Sequence, residues 1–104
     1  MADFVERAVR RMREDRAFSR NRHFLALSSP EGRRAVRIHR HLRSLESDLE
    51  RGHPATVDRR ADRVCITIRY RGGERVAWLT SGEFRLLCTN PIVRAALGAE
   101  ADAG

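Results

Sequence analysis

Lysine is absent from this chain of 104 residues, and cysteine, proline and aromatic side chains are scarce. The two cysteines, Cys65 and Cys88, stand in unrelated contexts. That excludes a disulfide framework and a Cys-x-x-Cys metal or redox motif, and it predicts a reduced, cytoplasmic setting. No stretch approaches the eighteen apolar residues of a spanning helix, and the opening MADFVERAVRRMRED lacks the apolar core of a secretory leader, so no membrane association is expected. The seven glycines are too dispersed for a phosphate-cradling loop. There is no paired-carboxylate or nucleophile-elbow motif, so neither catalytic residues nor a cofactor is expected. His39 and His41 are two apart on an expected helix and point in different directions, so no metal site is expected either.

What the chain has instead is arginine. All 21 basic residues are Arg against 14 acids, a net charge of +7. GC-rich coding accounts for the missing lysine, since selection for phosphate contact would not exclude it. Arg nevertheless grips phosphate and carboxylate through paired hydrogen bonds and stacks on flat rings. The charge is uneven: residues 1–45 hold twelve Arg against five acids, whereas residues 46–104 hold nine of each. The whole excess therefore lies in the first half, which points to a polyanion or an acidic protein surface as partner.

Periodicity predicts an α+β fold. Phe4, Val5, Ala8, Val9 and Met12 share one face of a first helix over about 3–18, with Asp3 as its cap. The run His23–Leu27 reads as a short strand or an apolar turn. A long second helix starts at Ser29-Pro30-Glu31 and carries a seam of Ala35, Ile38, Leu42, Leu45 and Leu49 before Gly52. Residues 52–62 read as a polar loop. Residues 63–70 and 75–80 read as a two-stranded antiparallel hairpin around Gly72-Gly73. That turn would set Ile68 against Ala77 and Ile66 against Leu79, with Thr67 beside Trp78 and Arg69 beside Val76 on the other face. A cation–π pair between Arg69 and Trp78 is expected there. Thr80-Ser81-Gly82-Glu83 opens a short helix as a capping box, and Asn90-Pro91 opens another that stops at Gly98.

Val76 to Leu87 resembles the opening strand and first helix of winged-helix response-regulator DNA-binding domains. Only seventeen residues follow, too few for a recognition helix and wing, so no functional residue is carried over.

The expected architecture is one compact domain over 1–98 with a frayed tail at 99–104. In it two N-terminal helices, the second long, pack on the hairpin, and short C-terminal helices close the core. The expected core is Phe4, Val9, Met12, Ile38, Leu42, Leu45, Leu49, Ile66, Ile68, Leu79, Phe84, Leu87 and Ile92.

Two groups of arginines are candidate ligand contacts. On the first helix most Arg have an acid four residues away, so that face neutralises itself. The second helix differs: Arg33, Arg34, Arg37, Arg40 and Arg43 are followed by Glu46, Asp48 and Glu50 at its C-terminal end, an order that opposes the helix dipole. Arg33, Arg37 and Arg40 form a stripe opposite the apolar seam. The stripe fits phosphates, with His39 or His41 on its flank; it also fits an antiparallel second copy, or solvent. The hairpin adds Arg69, Arg71 and Arg75 around Tyr70. These residues imply a small, non-enzymatic regulator that contacts the nucleic-acid phosphate backbone, with a compact adaptor or inhibitor for an acidic protein surface as the alternative. A homodimer is expected, built on the helix seam or on the Trp78 face of the hairpin.

Overall fold

The computed structural model describes residues 4–98, the side chain of Ser28 apart; the expected Asp3 cap and the 99–104 tail lie outside the described residues. The fold is α+β, with α1 (Phe4–Glu14), α2 (Arg16–Arg20), α3 (Arg22–Ser28), α4 (Pro30–Glu50), β1 (Ala55–Arg60), β2 (Arg63–Tyr70), β3 (Gly73–Thr80), α5 (Ser81–Leu87) and α6 (Pro91–Leu97). It divides into two compact units, Met1–Arg43 and Ser44–Gly104, with the boundary inside α4.

In the first unit α1 buries Ala8, Val9 and Met12 along one stripe. The expected single helix over 3–18 breaks at Asp15. Its backbone is extended (φ −127°, ψ 109°), and its Oδ1 accepts from the amides of Ala17 and Phe18 at 2.9 and 3.2 Å. A carboxylate that can take the free amides of a new helix start competes with helix continuation, and here it caps α2. Residues 22–28 form α3 rather than a strand; an apolar run this short has no period that separates the two. Leu25 and Ala26 are partly covered, and Phe24 and Leu27 are exposed. Ser29 caps α4 as expected, its Oγ accepting from the Gly32 amide at 3.0 Å. A Cβ at Gly32 would stand 2.0 Å from the Leu25 carbonyl oxygen, so the approach of α3 to α4 requires glycine there.

The second unit holds a three-stranded antiparallel sheet in the order β1-β2-β3, where a two-stranded hairpin was expected. The additional strand comes from the stretch read as a loop. In β1 the apolar alternation is confined to Ala55 and Val57, and its turn to β2 carries Ala61 at φ 46°, a left-handed position that glycine usually marks. The β2–β3 turn is Arg71-Gly72, with Tyr70 opposite Gly73. Moving the turn back by one residue shifts every partner by two and keeps every side chain on its face. Ile66 therefore meets Ala77, Val64 meets Leu79, Cys65 meets Trp78 and Thr67 meets Val76.

The inner face buries Val64, Ile66, Ile68, Ala77 and Leu79, and α5 packs on β2 and β3 while α6 packs on β1. The Thr80–Glu83 capping box forms in full, at 3.1 and 2.9 Å. Asn90 caps α6 with Pro91 in its first turn, and α6 ends at Gly98. Leu42, Leu45 and Leu49 of the α4 seam are fully buried within the single chain, so they are not available to a second copy. Ile38 is only partly covered, whereas Val36, His39 and Glu46, which the seam does not include, are buried. Two expected core residues are exposed. Phe4 lies outside the Ala8–Val9–Met12 stripe, and Ile92 faces away while Val93 and Leu97 are buried four apart.

Candidate nucleic-acid interface

At about 100° per residue, Arg33, Arg37 and Arg40 fall within a narrow sector of α4, with Arg34 and Arg43 on either side of it. All five side chains are exposed, and Ala35 and Leu42 on the opposite side are fully buried. Among the described residues no carboxylate forms an ion pair with Arg33, Arg34, Arg37 or Arg40. His39 is buried and so does not flank the stripe as a ligand contact; His41 is partly covered. On α1, by contrast, Arg10 pairs with Glu6 at 3.6 Å, and Arg11 lies over the Phe18 ring at 4.5 Å.

The acids at the C-terminal end of α4 are committed elsewhere. Glu46, which is 2% exposed, and Glu50 accept from the Asn90 side-chain amide at 3.0 and 2.8 Å. Because Asn90 Oδ1 is taken by the amides of Ile92 and Val93, its NH₂ must face the two carboxylates. Asp48 Oδ2 accepts from the Tyr70 hydroxyl at 2.5 Å and from Arg75 Nη1 at 2.9 Å, and Arg75 also donates to Ser44 Oγ at 2.9 Å. The Tyr70 hydrogen bond, more than Arg75 beside it, holds the Asp48 carboxyl below its ordinary value, although partial burial works against this. The same bond pushes the Tyr70 hydroxyl up. The unfavourable charge order along α4 thus has a structural cause: its last two turns carry the carboxylates that fasten α6 and the sheet to it. Among the described residues these acids form no ion pair with Arg33, Arg34, Arg37 or Arg40.

Arg75 must therefore be removed from the candidate contacts. Its register position opposite Ile68 places it on the covered face, where it is an internal tie. Arg69 and Arg71 remain exposed at the β2–β3 end, with Arg69 opposite Glu74. Trp78 lies opposite Cys65 rather than Thr67, and Arg59 rather than Arg69 makes a cation–π contact in this unit, with Phe84 at 5.1 Å. The candidate contacts are Arg33, Arg34, Arg37, Arg40 and Arg43 on α4, with Arg69 and Arg71 as a hairpin group of their own.

Among the described residues no cluster of three or more His, Cys, Asp or Glu could hold a metal ion, and no helix is long and apolar enough to cross a membrane. Neither cysteine is in a disulfide; Cys88 is buried and Cys65 partly covered. Searches of family models, curated proteins and solved structures return no match, so the functional reading rests on the surface just described.

Proposed function

We propose that this chain is a non-enzymatic regulatory protein that binds nucleic acid by laying the arginine face of α4 along the phosphate backbone. The observation that carries this reading is the contrast within one helix. Five exposed arginines lie between residues 33 and 43 with no acid among them, and the acids that follow are held by Asn90, Tyr70 and Arg75. Exposed charge such as that of Arg33, Arg34, Arg37 and Arg40, which have no ion-pair partner among the described residues, attracts a polyanion through counterion release, and phosphate contact carries no base sequence information. Arg suits this role because its planar fork bridges two phosphate oxygens. Nothing on α4 supplies an Asn or Gln for bidentate reading of adenine, and its arginines, although guanine also accepts a guanidinium, are assigned to the backbone.

Fluorescence anisotropy with two labelled duplexes of unrelated sequence tests the reading. Equal affinities, falling by roughly a hundredfold between about 50 and 200 mM salt for some four phosphate contacts, are expected. Retention of one duplex only, or no binding at the lower salt, would refute it. If neither duplex is bound, the partner would be sought among acidic proteins, for which the exposed Phe24 and Leu27 of α3 supply apolar contact area.

A further inference from the structure

The outer face of the sheet carries a second arrangement that the α4 reading does not use. The inner-face residues are buried, and the outward set alternates with them: Asp58 and Arg60 on β1, Arg63 and Cys65 on β2, Val76 and Trp78 on β3. Two of its features are not explained by the stability of the fold. Trp78, the only tryptophan in the chain, is 49% exposed in the middle of a strand although it has a cross-strand neighbour in Cys65. Arg60 and Arg63 stand directly opposite each other on the same face, an arrangement of like charges that disfavours pairing. Arg60 is balanced by Asp58 at 2.9 Å, but Arg63 has no ion-pair partner among the described residues. Arg63 is diagonal to Trp78 across the ladder, about 7 Å away along the strand at two residues of rise.

We infer that this face binds single-stranded nucleic acid, with an unpaired base stacked on Trp78 and a neighbouring phosphate between Arg60 and Arg63. The inference rests on the nucleic-acid reading above and names the form of ligand. A duplex hides the faces of its bases, so an indole on a shallow sheet can stack only on an unpaired one. A strip that combines an exposed aromatic with paired guanidinium groups matches a base and its phosphate together. A second copy matches less well, because two faces with excess positive charge would repel.

The test uses Trp78 as its own reporter. Wild-type protein is titrated with unlabelled single strands of about 12 nucleotides, as DNA and as RNA, while its emission is recorded. Labelled single-strand and duplex probes are followed in parallel by anisotropy for wild type, Trp78→Phe, Trp78→Ala, Arg63→Ser and Arg33/Arg37/Arg40→Ala. Strong quenching of the wild-type emission by single strands but not by duplex is expected. Trp78→Ala should weaken single-strand binding by about tenfold, with Trp78→Phe restoring most of it and duplex affinity unchanged. Quenching that survives the triple α4 substitution would uphold the sheet site as independent of α4, whereas duplex affinity that survives it would overturn the α4 reading. Single-strand binding without quenching, or duplex binding alone, would overturn the sheet site and leave α4 standing. Absence of binding by any probe would overturn both. A concentration-dependent blue shift of the free protein with a dimeric mass would overturn it too, since a second copy would then cover the face.

Discussion

The Asn90 junction can be tested by a substitution that changes only its charge. Asn90→Asp preserves the shape of the side chain and its ability to cap α6, because Asp and Asn are equally good N-caps. It replaces the NH₂ that serves Glu46 and Glu50 with an oxygen about 3 Å from both carboxylates. A hydrogen bond to a charged acceptor contributes about 1.5–3 kcal/mol. Glu46 is buried and should contribute about 2 kcal/mol, while the exposed Glu50 should contribute below about 1 kcal/mol. The loss at neutral pH should therefore be about 2–3 kcal/mol before repulsion adds to it. The sign of the pH dependence follows from the neighbours. The introduced carboxyl sits beside two negative groups, so its folded pKa is raised above the ordinary value near 3.9, and it destabilises only where the unfolded chain ionises it. The deficit should thus be full at pH 7 and shrink as the pH falls towards 4. Urea denaturation followed by Trp78 emission, which reports the same unit, measures it against Asn90→Ser, which keeps the cap and should lose stability with no such pH dependence. Equal stability of wild type and Asn90→Asp at pH 7, or a deficit that does not change with pH, would refute the assignment.

Three further outcomes follow from local geometry. Asp48 is held below its ordinary value of 3.8, so it contributes stability above that pH and loses it as the pH falls through its lower folded value; Asp48→Asn should remove this acid-sensitive increment, as seen in urea midpoints between pH 3 and 7. Gly32→Ala should destabilise by about 1–3 kcal/mol in thermal melts despite the better helix propensity of alanine, because the added methyl would overlap the Leu25 carbonyl. Ala61→Gly should raise stability by about 0.5–1 kcal/mol by relieving the left-handed φ of 46°, and a neutral or negative result would show that the turn is not strained.

Features fixed by neighbouring residues were legible in the sequence. The Ser29 cap, the Thr80–Glu83 box and the Asn90-Pro91 start all form, because each needs only residues two or three apart. The inward set of β2 was legible from alternation, and it survived a wrong turn assignment because a two-residue slip preserves parity. β1 was not legible: its inward set is only Ala55 and Val57 before Arg59, its turn lacks glycine, and it is held by pairing to β2. The Asp15 break was hidden because an acid in a helical pattern reads equally as an i,i+4 partner or a cap. The arginine stripe was visible from composition and helical spacing alone. The use of the α4 acids was not, since Asn90 lies 44 and 40 residues from Glu46 and Glu50, and Tyr70 lies 22 from Asp48. The same long-range pairing ties Arg75 to Asp48, whereas Arg60 stands against Arg63 across the local β1–β2 turn, which was missed because β1 reads as a loop.

The measurement that tests the central claim most directly is the salt dependence of duplex affinity for wild type and for Arg33/Arg37/Arg40→Ala. If the three side chains contact phosphates, the slope of log affinity against log salt should become shallower by about 2–3 in the variant, with folding unchanged by circular dichroism. An identical slope in the two proteins would contradict the claim and would move the phosphate contacts, or the partner itself, away from α4.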